Sequence, residues 1–145
     1  MNILIYKILP DQDIEECLKI RRKVFIEGQN VLEEEELDGL DCDGDHYIIR
    51  LDDFVSGTAR IRYIQNKAKI ERVAILTEYQ GQGLGRRLME YLLKEIRNSD
   101  KVKIATLGAQ THAIPFYENL GFTICSDEYI EAGIPHKDMQ IILSS

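Results

Sequence analysis

Several features that mark specialised proteins are scarce or missing in this sequence of 145 residues. Its three cysteines are odd in number and form no C-x-x-C pair, which disfavours a disulfide framework or a zinc site and predicts reduced thiols in a cytoplasmic protein. Positive charge is in deficit, and a net charge of −7 disfavours a general binder of nucleic acids or anionic membranes. No apolar run reaches membrane-spanning length, and the N-terminal stretch lacks the cleavage site of a signal peptide.

What is present is an ordinary globular composition, with 44% apolar and 30% charged residues. The length suits one domain with a hydrophobic core, and no repeat, linker or low-complexity tract divides the chain. We therefore interpret residues 1–145 as a single domain.

The apolar pattern predicts the order of strands and helices. Alternating and β-branched runs predict strands at residues 2–8, 46–51, 54–64, 68–76, 102–109, 122–133 and 136–143. Helices are predicted from Asp11 or Asp13 to about Phe25, from about Gly83 to Asn98, and from about Thr111 to Leu120, where Gly121 ends the last one. This order predicts an α/β fold with a mixed sheet, in which an antiparallel meander is followed by a parallel pair of strands, 67–76 and 102–107.

Glycine is concentrated directly before the second predicted helix, at Gly81, Gly83 and Gly85. A helix start carries unpaired N–H groups and a partial positive charge, and glycines let an anion approach that backbone closely. Arg86 and Arg87 add positive charge at the same end, which opposes the helix dipole unless a negative partner is bound. The stretch from Gln80 to Gly85 is therefore interpreted as a cradle for an anion such as a phosphate.

Known phosphate loops narrow this interpretation. A P-loop is excluded because no Lys-Ser or Lys-Thr follows the glycines. A dinucleotide fingerprint needs G-x-G-x-x-G, and Arg86 stands in its final glycine position. What remains is a Q-x-x-G-x-G pattern, or a glycine-rich helix start without any ligand, and the loop alone leaves both open.

Longer stretches carry a resemblance to a known family. RVAILTEYQGQGLGRRLMEYLL, residues 72–93, resembles motif A of the GNAT acyl-CoA N-acetyltransferases, and AIPFYENLGF, residues 113–122, resembles their second signature. RRKVFIEGQNV, ELDGLD and GIPHKDM are similar to a small bacterial branch, the ElaA/YjcF-like proteins. The predicted element order matches the GNAT fold, so the resemblance covers essentially the whole chain.

The resemblance implies acetyl-CoA as cosubstrate and a sheet that opens between strands 67–76 and 102–107. In this family the pyrophosphate lies on loop amides, here those of Gln80, Gly81, Gln82, Gly83, Leu84, Gly85 and Arg86. The pantetheine arm pairs with the motif A strand, here Val73, Ala74 and Ile75, because its buried amides need backbone partners. Gln110 stands where an Asn commonly contacts the cofactor, and Phe116 is either a neighbour of the CoA arm or a core residue.

The implied chemistry is direct acyl transfer to an amine, which needs a base for the amine proton and an acid for the thiolate. Tyr117 matches the tyrosine that serves as the acid in many family members, with a core aromatic as the alternative. Glu71 and His136 are the candidates for the base. A solvated charge at a sheet edge explains Glu71 as well, and a polar residue at a strand start explains His136 equally.

The acceptor site is implied to lie near Arg21, Arg22 and Phe25. The acidic stretch EEEELDG, residues 33–39, either recruits a cationic amine or is a solvated loop. The acidic residues that follow do not form a calcium loop, because His46 stands where that loop needs glycine, so no metal site is predicted.

The resulting prediction is an N-acetyltransferase that acts on a primary amine of a small molecule or protein. The alternative is a non-catalytic acyl-CoA sensor on the same fold, which would keep the loop at 80–85 but would not need Tyr117. Transfer of another acyl group, or to another nucleophile, is a third possibility. A homodimer is compatible with the resemblance, although no apolar stripe in the sequence predicts one.

Overall fold

The computed structural model of the protein describes residues 2–143. Its strands are β1 Ile3–Lys7, β2 Asp45–Leu51, β3 Phe54–Ile64, β4 Lys67–Ile75, β5 Ile104–Gln110, β6 Thr123–Ile124, β7 Tyr129–Glu131 and β8 Ile134–Ile142. Its helices are α1 Glu15–Arg21, which continues as a π-helical segment Arg22–Glu27, α2 Glu33–Glu36, α3 Leu84–Ser99 and α4 Ile114–Asn119. Within residues 2–143, no helix is long and apolar enough to cross a membrane.

All of these strands belong to one mixed sheet. Their order is β1-β2-β3-β4-β5-β8-β6, and β7 also pairs with β8. In this part of the chain β4 and β5 are the parallel pair, and the other neighbours are antiparallel. Tight turns produce the two antiparallel pairs of the meander β2-β3-β4, and Asp52 and Gln65 take φ of +54° in them. The predicted α/β fold with a mixed sheet is confirmed.

Helix α3 is attached to the sheet by an apolar face. Apolar residues recur three or four positions apart along it, and the buried ones are Leu84, Leu88, Met89, Leu92, Leu93 and Ile96. They share one core cluster with sheet residues that include Tyr47, Ile61 and Leu107. Full burial stabilises the fold by about 1.5–3 kcal/mol for each large side chain, so the first turn of α3 has a fixed place beside the end of β4.

The sheet is split between β4 and β5, as the family resemblance implies. Their pairing is limited to three positions, Lys67 with Ile104, Ala68 with Ala105 and Lys69 with Thr106. Beyond these positions β4 carries a bulge against β3, because two residues, Arg72 and Val73, fit between the pairs Arg60–Glu71 and Thr58–Ala74. A bulge bends its strand and increases the local twist, and here it turns β4 away from β5.

The C-terminal strands differ from the prediction. The single strand expected at 122–133 is two short strands, β6 and β7, because the polar residues between them bend toward β8 instead of pairing regularly. Cys125 N donates to the carbonyl of Asp138, and Ser126 Oγ accepts from Asp138 N. The turn into β8 lies one position earlier than expected, at Ala132 and Gly133, whose φ values are +52° and +76°.

The N-terminal third also differs in two places. The first helix begins at Glu15 rather than at an aspartate cap, although Asp13 Oδ1 accepts a hydrogen bond from Glu15 N at 3.3 Å. The acidic stretch is not a plain loop, since residues Glu33–Glu36 form one helical turn. That turn is held by arginines, because Glu36 pairs with Arg21 and Arg72.

Candidate active site

A cleft of about 590 Å³ lies where β4 and β5 separate. This volume is within the range of about 300–1,000 Å³ that is typical of small-molecule pockets. Residues 69–75 of β4 form one wall, and Leu107, Gly108 and Gln110 of β5 face them. Further lining residues come from the π-helical segment, the acidic stretch, α4 and the β7–β8 hairpin, and they include Phe25, Glu35, Tyr117, Tyr129, Glu131, His136 and Asp138.

The start of α3 has unpaired backbone donors. Gly83 is the N-cap residue with φ of +80°, and no side chain within residues 2–143 caps the helix. The first bond of the helix runs from Arg87 N to the carbonyl of Gly83 at 3.1 Å, so the amides of Leu84, Gly85 and Arg86 have no acceptor inside α3. These amides and the helix dipole form a site that favours an anion.

The glycines before α3 keep that site open. Gly81 and Gly83 both have φ of +80°, which glycine adopts without a steric penalty. A methyl group at either position would meet none of the described atoms within 4 Å, so the space beside the loop is free. Gly85 is different, because a methyl group there would lie 3.5 Å from Phe116 Cζ, in ordinary packing contact.

Gln80 connects the loop to the cleft. It lines the cleft, and its Nε2 donates to the carbonyl of Ile75 at 3.0 Å, at the end of β4. The charges nearby are exposed: Arg86 pairs with Glu90 at 3.3 Å, one helical turn later, and Arg87 has no ion pair in the described part of the chain. Arg87 is therefore available to an anion, and Arg86 becomes available if it gives up its exposed ion pair with Glu90.

Tyr117 lines the cleft from α4. Its ring packs edge-to-face against Phe116, with ring centroids 5.0 Å apart, and against Phe122 at 5.9 Å. Burial raises the pKa of Tyr117 to about 12, so its hydroxyl keeps its proton at neutral pH. None of the described side chains accepts a hydrogen bond from this hydroxyl, which leaves its proton available in the cleft.

Phe116 packs against the core rather than lining the cleft. It belongs to the partly buried residues around the main core cluster and contacts the first turn of α3 near Gly85. Of the two roles considered for Phe116, a neighbour of the CoA arm or a core residue, its position in this structure fits the core residue.

His136 is held in one tautomer at the opposite side of the cleft. Its Nδ1 lies 2.7 Å from the carbonyl of Ile134, and a carbonyl only accepts hydrogen bonds, so Nδ1 carries the proton. In the neutral ring Nε2 then has a free electron pair, and Glu131 Oε2 is 3.9 Å away from it. The ring stacks on Tyr129, whose hydroxyl donates to Asp138 Oδ1 at 2.5 Å.

Glu71 is bound by cations. Its Oε1 accepts from Arg62 Nε at 2.6 Å and from Arg60 Nε at 3.1 Å, and Lys69 Nζ is 3.7 Å from Oε2. Burial would raise the pKa of Glu71, but the hydrogen bond from Arg62 and the charges of Arg60, Arg62 and Lys69 outweigh it and lower the pKa. A carboxylate held in this way is a weak proton acceptor.

The acidic stretch forms an ion-pair network that the sequence interpretation missed. Arg21 Nε lies 2.9 Å from Glu36 Oε2, Arg60 Nη2 lies 2.8 Å from Asp38 Oδ2, and both arginines reach Asp41 Oδ1 at 2.8 Å. Arg21, Glu36 and Arg60 are exposed by only 1%, 2% and 0%. The interpretation of residues 33–39 as a solvated loop, or as a segment that recruits a cationic amine, is therefore wrong for Glu36 and Asp38, because arginines of the same chain bind both carboxylates.

The three residues expected near the acceptor site lie in three different surroundings. Phe25 lines the cleft, Arg21 lies in the network, and Arg22 pairs with Glu33 at the surface. A signal for the network was present in the sequence, because Arg60 and Arg62 alternate in the long strand β3, where inward-pointing charges need partners.

Gln110 lies at the end of β5 and pairs with Gln29, to which no pattern in the sequence had pointed. Gln110 Nε2 donates to Gln29 Oε1 at 2.9 Å, and Gln29 Nε2 donates back to Gln110 Oε1 at 3.2 Å. His112 Nε2 is 2.7 Å from the same Gln110 oxygen. The two amides connect the region after the π-helical segment to β5 across one end of the cleft.

The described part of the chain contains no cluster of three or more His, Cys, Asp or Glu side chains that could hold a metal ion. Its cysteines, Cys17, Cys42 and Cys125, are free.

Comparison with known proteins gives a consistent family. The family model described as an acetyltransferase (GNAT) domain matches residues 21–143. The uncharacterized N-acetyltransferase YjcF of Bacillus subtilis is 32% identical over 130 residues, which cover 89% of this chain and 92% of YjcF. The crystal structure of Escherichia coli ElaA has a TM-score of 0.84 and 26% identity, over 96% of this chain and 99% of ElaA.

A more distant structure shares the fold. A GNAT family acetyltransferase from Elizabethkingia anophelis with acetyl-CoA bound has a TM-score of 0.75 and 18% identity, over 97% of this chain and 98% of that one. The split sheet and the uncapped glycine loop described above thus occur in a chain that has the fold of these proteins.

Proposed function

The chain belongs to the GNAT acetyltransferase family, in the branch that includes YjcF and ElaA, and from this premise we propose that it transfers an acetyl group from acetyl-CoA to a primary amine of a small molecule or protein. The observation that carries the proposal is the cleft between the diverging strands β4 and β5, which is lined by both Gln80 and Tyr117. Acetyl-CoA supplies an activated acyl thioester, and the residues of the chain bind and orient it and handle the protons.

The loop and α3 would bind the pyrophosphate. The amides of Leu84, Gly85 and Arg86 lack acceptors in the helix, and the left-handed Gly81 and Gly83 leave room for phosphate oxygens. Gln82 and the side chain of Arg86 lie at the same exposed edge, where Arg86 would exchange Glu90 for a phosphate. These features support a CoA-type cosubstrate.

The wall of β4 would bind the pantetheine arm. Because pairing with β5 ends at Lys69, the peptide groups of Val73, Ala74 and Ile75 face the cleft without a strand opposite them. An extended chain with two amides fits such an edge as an added strand. Gln80 fixes the end of this edge through the carbonyl of Ile75, and Gln110 stands across from it on β5.

Two residues would handle the protons. His136 has a free electron pair on Nε2 in its neutral form and would accept the proton of the amine, while the carboxylate of Glu131 offsets the charge that develops. Tyr117, whose pKa burial raises to about 12, keeps its proton at neutral pH and would donate it to the thiolate. Glu71 stays a second candidate for the base, and its lowered pKa favours His136 over it.

A titration followed by a turnover assay tests the proposal. Calorimetric titration with acetyl-CoA measures binding, and release of the CoA thiol with a panel of small amines and amine-bearing peptides measures transfer. We expect saturable binding and turnover with at least one primary amine. Binding without turnover over the whole panel would instead support a non-catalytic acyl-CoA-binding module, and faster turnover with longer acyl-CoA esters would assign another acyl group.

A single domain over residues 1–145 and a cytoplasmic location stay predictions from the sequence, and a homodimer stays compatible with the family resemblance.

A further inference from the structure

Arg72 occupies an unfavourable backbone conformation at the point where the cleft opens. Its φ is +56°, in the left-handed region that L residues with large side chains avoid. It is one of the two bulge residues of β4, and the last position paired with β5, Lys69, lies three residues before it. Val73 and Ala74, which face the cleft, follow it directly.

The guanidinium group of Arg72 holds the acidic stretch. Its Nη2 donates to Asp38 Oδ2 at 3.1 Å and to the carbonyl oxygens of Glu35 and Glu36 at 3.3 and 3.0 Å. Its Nε lies 2.9 Å from Glu36 Oε2, but the N–H does not point at that oxygen and makes no hydrogen bond. One side chain thus binds a backbone turn and two carboxylates.

Those carboxylates are themselves fixed by other elements. Glu36 also binds Arg21 of α1, and Asp38 binds both terminal nitrogens of Arg60 of β3. Because α1 and β3 belong to the packed body of the protein, the acidic stretch is a rigid anchor for Arg72. Free energy gained in these contacts can hold a strained backbone conformation in place.

We propose that Arg72 is a positioning residue for acyl transfer. Glu35, Glu36 and Asp38 line the cleft, so the guanidinium group connects the wall formed by the acidic stretch to the bulge of β4. The connection sets the direction of the peptide groups of Val73 and Ala74. This role rests on the proposed function, because those peptide groups belong to the strand edge that would bind and orient the pantetheine arm, and with it the thioester.

Three variants separate the side chain from the backbone. Arg72→Gly removes the guanidinium group and leaves a residue that adopts a positive φ freely. Arg72→Ala removes the same group and keeps the backbone cost. Arg72→Lys keeps the charge but loses the planar fork that binds several acceptors at once. Gln65→Gly is the matched control, because Gln65 also has a positive φ, +54°, but lies in the β3–β4 turn.

The measurements are kcat with an amine that the wild type accepts, CoA affinity by calorimetry, thermal unfolding, and hydrogen exchange of the amides of residues 73–75. We expect all three Arg72 variants to lose about tenfold or more in kcat, as misplacement of a reacting group does, with CoA affinity within about threefold of wild type. We expect faster exchange at 73–75 in Arg72→Gly and wild-type behaviour in Gln65→Gly.

Wild-type kcat and wild-type exchange in Arg72→Gly would overturn the proposal, because the bulge would then need only its backbone conformation. If Arg72→Gly is unfolded at the assay temperature, Asp38→Asn replaces it, since it weakens the anchor while keeping the shape, and unchanged kcat there overturns the proposal equally. A wild type that turns over no amine would refute the proposed function instead, and the exchange measurement would still decide the role of Arg72.

Discussion

Two charged regions border the cleft, and they differ in what their polar groups contact. At the start of α3 the amides of Leu84, Gly85 and Arg86 have no acceptor in the helix, and the glycines before them face open space. In the acidic stretch and just after it, by contrast, Glu36, Asp38 and Asp41 are bound by arginines from α1, β3 and β4. The first region has donors left for a ligand, whereas the second is occupied by its own chain.

The difference shows how to distinguish a binding site from a supporting structure in this protein. A run of charged residues looks the same in the sequence whether it binds a ligand or pairs with side chains of its own chain. Buried charges cost several kcal/mol each unless they are paired, so an acidic run that packs against a sheet needs cations from the same chain. An exposed helix start has no such requirement, because water satisfies its amides until a ligand replaces it.

The largest effect, a loss of stability, is expected from breaking the ion-pair network of the acidic stretch. Glu36→Ala leaves Arg21 buried without its main partner, and we expect it to lower the free energy of unfolding by about 3–5 kcal/mol. Glu34→Ala is the matched control, because Glu34 is exposed and has no ion pair within residues 2–143, and we expect a change within about 0.5 kcal/mol. Urea unfolding of both variants measures this, and equal stabilities would mean that the network does not support the fold.

The next largest effect, a loss of turnover, is expected from removing the hydroxyl of Tyr117 in the cleft. Tyr117→Phe removes the hydroxyl but keeps the ring between Phe116 and Phe122, so we expect kcat to fall by about 10²-fold, as the loss of a general acid does, with CoA affinity within about twofold. Thiol release and calorimetry on the same preparation separate the two quantities. Full activity in this variant would remove Tyr117 from the mechanism.

A smaller effect is expected from introducing a negative charge at the start of α3. Gly83→Asp places a carboxylate beside the free amides, and we expect CoA affinity to fall by about tenfold, which corresponds to about 1.4 kcal/mol. Gly83→Asn is the control of the same shape without the charge, and it tolerates a positive φ better than most residues. If Asp and Asn weaken CoA equally, the loss is steric and the region does not bind an anion.

The smallest effect is a dependence of stability on pH. Burial alone would raise the pKa of Asp38, but the hydrogen bonds from Arg60 and the Leu40 amide and the charges of Arg60 and Arg72 lower it well below its usual value. A carboxyl whose pKa is lowered by folding stabilises the protein above its unfolded pKa and loses that contribution as pH falls. We therefore expect the contribution of Asp38 to fall by about 1 kcal/mol between pH 7 and pH 3.

Urea unfolding of wild type and Asp38→Asn over this pH range tests that expectation. The variant has no carboxyl to protonate at this position, so its stability should depend less steeply on pH. Parallel curves for the two proteins would mean that Asp38 is not held by the arginines in solution.

Local sequence patterns predicted the fold and the glycine loop at the start of α3. Apolar periodicity predicted α3 and most of the strands, and the glycines before a predicted helix start predicted the cradle, because these features depend on neighbours within a few residues. The broken strand at 122–133 was missed because the bonds of Cys125 and Ser126 go to Asp138, a residue far along the chain. The pair Gln29–Gln110 was missed for the same reason.

The sequence by itself determined the family, the mixed sheet and the glycine-rich helix start, since each is written in short patterns of residue type. Only the tertiary structure decided which charges are available to a ligand. The acidic stretch and the arginines that neutralise it come from α1, β3 and β4, and their pairing depends on distances that the chain acquires only when the sheet, its bulge and the helix α1 are packed together.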